Sequence, residues 1–293
     1  EVLGAHLASF EGESTAARHY SQWFSACEHL RDDRCVRALG ERVVARPDLV
    51  ILHDRVLDLL IASGERLRAL DRERYGPGLR KALGLKLKSP EFRRSVEAGL
   101  RLSEVEQEDG EWATAVTTLT RVLQIEPSAQ HWVRLKRAEL LARNYRAVFF
   151  APVNYGVWIN LRSHPEIEPA IRQIEAEASF ELARQEMGAG KWDAMGVHFA
   201  RFEKQASDPI RVTEVRDQWL RALMDAGQWQ DAIRKLSDFP AHWRARKQAG
   251  TMASELETRL LDDGQLELLR DFIQAWPRHL LLSELVATGT SMR

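Results

Sequence analysis

The chain has 293 residues, 42 of them basic and 43 acidic, so no global charge bias directs it to nucleic acid or to an anionic surface. Charged residues at 29% and hydrophobic residues at 44% describe an ordinary folded chain, and the want of any run of about eighteen apolar residues argues against a membrane span. Nine tryptophans against four tyrosines, in a chain rich in Leu, Ala, Arg and Glu, favour helices over strands.

From residue 1 to 75 the apolar spacing is helical but irregularly punctuated. Glu1 in place of Met, with no signal pattern, leads us to expect a processed or trimmed N-terminus. The compartment is left unset, with the cytoplasm ahead of the periplasm. Gly12 followed by Ala16, Ala17, Tyr20, Trp23 and Phe24 reads as a turn and a helix. A second helix is expected from Cys35 to Ala45, where Val36, Leu39, Val43 and Val44 share a face and Pro47 ends the run. A third runs from Val50 to Ile61, stops near Ser63 and Gly64, and returns through Leu67 and Leu70.

Cys27 and Cys35 on one helix would stand about 12 Å apart, too far for a disulfide, so free, packed thiols are favoured. A turn at Asp32-Asp33 would relax that objection. A metal site with His29 is set aside, because the spacing matches no common zinc pattern.

Between residues 65 and 101 eleven basic residues face five acids. Gly76-Pro77-Gly78 should break any helix there, so 76–95 reads as a connector or an atypical repeat. Arg80, Lys81, Lys86, Lys88, Arg93 and Arg94 are the candidate contacts for an anionic polymer, nucleic acid or acidic polysaccharide. The plainer reading is a solvated face balanced by Glu104, Glu106, Glu108, Asp109 and Glu111. It is preferred, since Tyr75 and Phe92 are the stretch's only aromatic platforms.

Residues 96–293 carry a repeat. Gly190-Lys191-Trp192, Gly227-Gln228-Trp229 and Gly264-Gln265-Leu266 recur at thirty-seven residues, and Gly110-Glu111-Trp112 is an upstream copy. Each glycine falls where a helix needs a left-handed stop, and each large apolar residue opens the next helix. Trp112, Ala115, Val116, Leu119 and Leu123 form one continuous stripe. Trp112, Trp192 and Trp229 are therefore expected to pack between hairpins, whereas Trp132, Trp158, Trp219 and Trp243 are better placed for exposed contact.

The unit 96–129 resembles a tetratricopeptide repeat. It is thirty-four residues long, with Leu102 and Ser103 before the turn, an aromatic residue two after Gly110 and Ala115 five after it. The later copies are similar but drift in period and in their small residues. The resemblance implies an all-α, right-handed α-solenoid of stacked helical hairpins, whose first helices line a concave groove for a protein or peptide segment. By position that groove would present Leu100 and Glu104, Phe180, Arg184 and Met187, and Asp217, Arg221 and Met224. The Lys and Asn with which one subset of the family clamps a chain's C-terminal carboxylate are replaced at all three matching pairs. In the irregular segment 149–169, Trp158 is the best contact candidate.

Motifs for catalysis are missing. Gly188-Ala189-Gly190-Lys191-Trp192 lacks a phosphate loop's first glycine and its Ser or Thr. Asp262-Asp263-Gly264 lacks calcium-loop spacing. The nine histidines stand singly. The expectation is a non-enzymatic scaffold or adaptor needing no metal and no cofactor, its oligomeric state open, with a helical module of a larger enzyme as a further alternative.

Overall fold

A computed structural model describes residues 13–46, 49–150, 164–240, 244 and 247–276. Among these residues the chain is all-helical, with no strand. In chain order the helices are α1 (Glu13–His29), α2 (Asp33–Val44), α3 (Val50–Leu70), α4 (Arg72–Lys86), α5 (Phe92–Glu108), α6 (Trp112–Ile125) and α7 (Ala129–Leu141). A short 3₁₀ turn, Ala147–Phe149, precedes α8 (Glu168–Gly188), α9 (Trp192–Gln205), α10 (Pro209–Asp225), α11 (Trp229–Asp238), α12 (Lys247–Asp262) and α13 (Leu266–Ala275). Helices adjacent in sequence pack against one another, and the chain divides into two compact units, Glu1–Ile171 and Arg172–Arg293.

One turn closes most hairpins. Gly110, Gly190, Gly227 and Gly264 all have φ between 68° and 76°. Beyond each, the next residue's N–H reaches back to a carbonyl five residues earlier: Glu111 to Glu106, Lys191 to Glu186, Gln228 to Leu223 and Gln265 to Leu260, at 2.8–2.9 Å. This double-capped stop satisfies the last carbonyls of one helix and leaves a three-residue link to the next. Arg31 and Arg143 take the same left-handed conformation, at φ 52° and 59°, with Asp32 bonding back to Cys27 and Asn144 to Glu139.

The C-terminal unit is built on an aromatic core. Phe180, Phe199, Phe202, Trp219, Phe239, Phe272 and Trp276 are buried with Leu220, Leu236, Leu256 and Leu260. Phe199 stacks on Trp219 with ring centroids 5.1 Å apart. The N-terminal unit is mainly aliphatic, its clusters centred on Val36, Val43 and Leu60, on Leu79, Leu83 and Val105, and on Leu119, Leu123 and Leu135.

Four expectations are corrected. First, Ser63 and Gly64 lie inside α3, which runs unbroken. Ser63 is buried and donates its hydroxyl proton to the Leu60 carbonyl, and a Cβ on Gly64 would come within 3.2 Å of the Leu79 Cβ. The pair is a close-packing contact between α3 and α4, not a helix stop. Second, Pro77 sits within α4. Its missing N–H costs one helical bond, offset here by the burial of Tyr75, Leu79, Ala82 and Leu83 on the same helix.

Third, Cys27 and Cys35 are disulfide-bonded, with Cα atoms 5.7 Å apart. The chain reverses between α1 and α2 at Arg31, and the Asp32 carboxylate caps α2 through the N–H groups of Arg34 and Cys35. The two cysteines thus stand on different helices. Fourth, Trp132 and Trp219 are buried and offer no exposed contact, while Trp192 and Trp229, half-buried, do pack against the C-terminal core as expected, and Trp112 is half-buried. Trp243 lies outside the described residues.

Candidate functional site

The residues placed in a groove by family resemblance do not share one exposed face. Phe180 is buried between Phe199 and Phe202, with ring centroids 6.3 and 5.9 Å away, and the Arg211 guanidinium lies 4.6 Å above its ring. Met224 and Asp217 on α10 are buried too, and Met187 packs half-buried against the same core. Arg184 and Arg221 are exposed, the former paired with Glu181 at 3.3 Å. Trp158 lies outside the described residues.

The basic stretch is threaded with carboxylates from neighbouring helices. Arg80 bonds to Asp109 at 3.0 Å and Glu111 at 2.5 Å. Asp109 also receives Arg68 and Arg72, at 2.8 and 2.5 Å. Burial pushes the Asp109 carboxyl up, but the two guanidiniums' hydrogen bonds outweigh it and hold the group below its ordinary range. Lys86 is buried, 3% exposed, and its ammonium reaches Asp58 at 2.6 Å and Asp54 at 3.1 Å. Its hydrogen bond is the chief reason the Asp54 carboxyl is lowered. Arg94 pairs with Asp54 and with Glu91, and Arg93 with Glu97 on the surface. Lys81 and Lys88 are exposed and carry no carboxylate partner among the described residues.

A different feature of the N-terminal unit has the form of a binding site. Between α2, α3 and α4 lies a cleft of about 180 Å³, floored by Val44, Leu60, Leu67, Leu79, Ala82 and Leu85. It exists because the residues that would fill it are small. Gly64 draws α3 against α4, while Ala45, Gly78 and Ala82 leave space on the side facing α2. Tyr75 forms one wall, with the guanidiniums of Arg37 and Arg74 at 5.3 and 5.4 Å from its ring centre. Arg37 is ion-paired to Glu41 at 2.8 Å across the mouth. A second hollow shares Arg37, Glu41 and Tyr75 and adds Arg34, Ala38 and Arg74.

Lys81 lines the apolar recess, Arg34 and Arg74 line the hollow that adjoins it through Arg37, Glu41 and Tyr75, and none of the three has a carboxylate partner among the described residues. The sequence placed this wall in a connector. The signal that could have found it is the run of small residues Gly78 and Ala82, one helical turn apart and opposite Gly64.

Elsewhere, the Lys235 ammonium lies 3.6 Å from the centre of the Trp219 ring, and burial pushes its pKa down. Among the described residues no three His, Cys, Asp or Glu side chains are grouped to hold a metal ion. No described helix is long and apolar enough to cross a membrane.

No protein-family model matches the chain, and no curated protein is similar to it.

Proposed function

We propose that the hairpins are divergent tetratricopeptide-like repeats of a right-handed α-solenoid, and that the chain is a non-catalytic scaffold or adaptor for a segment of another protein. The observation that carries the binding half is the open apolar cleft between α2, α3 and α4. At about 180 Å³ it is smaller than the roughly 300–1,000 Å³ of small-molecule sites. It matches the pocket that receives a single anchoring side chain in a protein interface, where a few buried apolar groups carry most of the binding energy. The anionic-polymer reading is weaker, because Arg80, Lys86, Arg93 and Arg94 are engaged by the chain's own carboxylates.

A photo-crosslinking residue at Ala45, exposed on the cleft's rim, tests the reading. The expected product is a crosslink to one segment of a protein partner. That segment, made as a peptide, should bind the wild-type chain and lose at least tenfold in affinity for Ala45→Trp, which covers the mouth from an exposed position. A partner indifferent to Ala45→Trp removes the cleft from the reading, and a curved, elongated scattering profile in solution is the expectation for the solenoid.

A further inference from the structure

We infer that the segment taken by the α2–α4 cleft is acidic: a large apolar side chain fills the recess, and Asp or Glu residues beside it meet Arg34, Arg74 and Lys81. The inference rests on the cleft reading and adds the chemistry of the partner. Five charged residues line the two connected hollows: Arg34, Arg37, Arg74, Lys81 and Glu41. Arg37 and Glu41 neutralise each other at 2.8 Å. Three cations remain: Lys81 at the apolar recess, and Arg34 and Arg74 at the hollow beside it.

Many cations of the N-terminal unit are already neutralised by the chain's own carboxylates. Arg66 reaches Asp33 at 2.6 Å, Arg68 reaches Glu108 and Asp109, Arg101 reaches Glu65 at 2.6 Å, and Lys86 bridges Asp54 and Asp58. Arg34, Arg74 and Lys81 have no such carboxylate among the described residues; Lys88 lacks one too, and what sets the three apart is their place beside an apolar recess. A basic or neutral segment would leave the rim's positive field unanswered, whereas an acidic one gains charge-assisted bonds at the edge of a surface of low dielectric. Arginine is also suited to hold a carboxylate with two parallel bonds, and two of the three cations are arginines. The Arg74 guanidinium over Tyr75 is already positioned, which lowers the ordering cost of such a bond.

The test is selection of a random peptide library on the full chain, run in parallel on Ala45→Trp and on the triple variant Arg34→Gln/Arg74→Gln/Lys81→Gln. All four substitutions are at exposed positions, so each variant's melting curve should match the wild type's and confirm that folding is intact. The expected peptides carry one large apolar residue with two or more acids within three positions of it. They should lose at least tenfold in affinity for Ala45→Trp, and about as much for the triple variant. Replacing the peptide's acids by their amides should reproduce the triple variant's loss, and replacing its apolar residue by alanine should abolish binding.

Selected peptides with no acidic bias, blocked by Ala45→Trp alone, overturn this inference and leave the cleft reading standing. Peptides that bind Ala45→Trp as tightly as wild type overturn both. Acidic peptides that bind without any apolar anchor, and that a polyanion such as heparin displaces, also overturn it in favour of a purely electrostatic surface.

Discussion

The two units solve the same packing problem with different means. In the C-terminal unit every described hairpin closes on a glycine, at Gly190, Gly227 and Gly264, and the helices are joined by large rings packed at mid-helix. In the N-terminal unit two of three such turns use arginine, the clusters are aliphatic, and the helices are tied by a disulfide and by ion pairs radiating from Asp109 and Lys86. The regular hairpins leave a hollow of about 250 Å³ at Trp192, Trp219 and Lys235, lined largely by charged groups. The irregular hairpins, held at their edges, leave a mainly apolar recess, and that is where the candidate site lies.

The largest expected effect tests this contrast directly. Phe199→Ala and Trp219→Ala remove side chains that are 1% and 5% exposed, and each should cost about 3–5 kcal/mol in denaturant unfolding. Leu85→Ala, on the cleft wall and half-buried, should cost no more than about 1–2 kcal/mol, because its side chain already borders open space. Trp229→Ala should fall below the core range, since the residue is only half-buried. Equal losses at Trp219 and Leu85 would erase the distinction between a filled and an unfilled interface.

Next in size is the disulfide. Removing the Cys27–Cys35 bridge frees a loop of about eight residues, worth roughly 2–3 kcal/mol by chain entropy. The loss in Cys27→Ala/Cys35→Ala should appear in the N-terminal unit and leave exchange protection of the Phe199 and Trp219 region unchanged. Thiol titration of the unfolded, unreduced chain should find no free sulfhydryl, and two reactive thiols would contradict the pairing.

These elements differ in how plainly the sequence announced them. The left-handed glycines were legible because a positive φ selects one residue type, so a periodic glycine followed by a large apolar residue marks a helix stop and the start of the next helix. Arg31 and Arg143 break that rule in the same geometry, and the first was marked only by the possible turn at Asp32-Asp33. Ser63-Gly64 and Gly76-Pro77-Gly78 misled for the opposite reason. Small residues signal turns when exposed and close helix contact when buried, and burial is a tertiary fact. The cleft is made by that second use, which is why reading 76–95 as a connector hid Gly78 and left Lys81 as a candidate contact for an anionic polymer alone. The groove residues on α8 and α10 were placed by position within a repeat. A rotation of one residue about a helix moves a side chain by about 100°, enough to carry Phe180 and Met224 from groove to core.

The turn comparison can be sharpened by exchanging its residues. Gly227→Ala puts a Cβ on a backbone at φ 68° and should cost about 1–2 kcal/mol, although the nearest side-chain atom would be 3.8 Å away. Arg143→Gly relieves the same strain and should stabilise the N-terminal unit by about 1 kcal/mol or less. If both changes destabilise, the Arg143 side chain contributes more than its backbone conformation costs.

The smallest effect concerns Glu106 on α5, a carboxylate 4% exposed. Burial pushes its pKa up, and Glu111 adds to the shift, while a hydrogen bond from Thr118 and the Arg80 charge oppose it. The folded state therefore holds this proton more tightly than the unfolded chain does. Its stabilising contribution is fully present below the ordinary glutamate value of 4.5 and is lost as pH rises through the raised folded value. Glu106→Gln keeps a partner for Thr118 without the buried charge. It should raise stability at neutral pH by less than about 1 kcal/mol, and the gain should shrink on acidification toward 4.5. A constant difference across that range would mean that Glu106 stays ionised at its ordinary value and that the N-terminal unit tolerates a buried charge beside its ion-pair network.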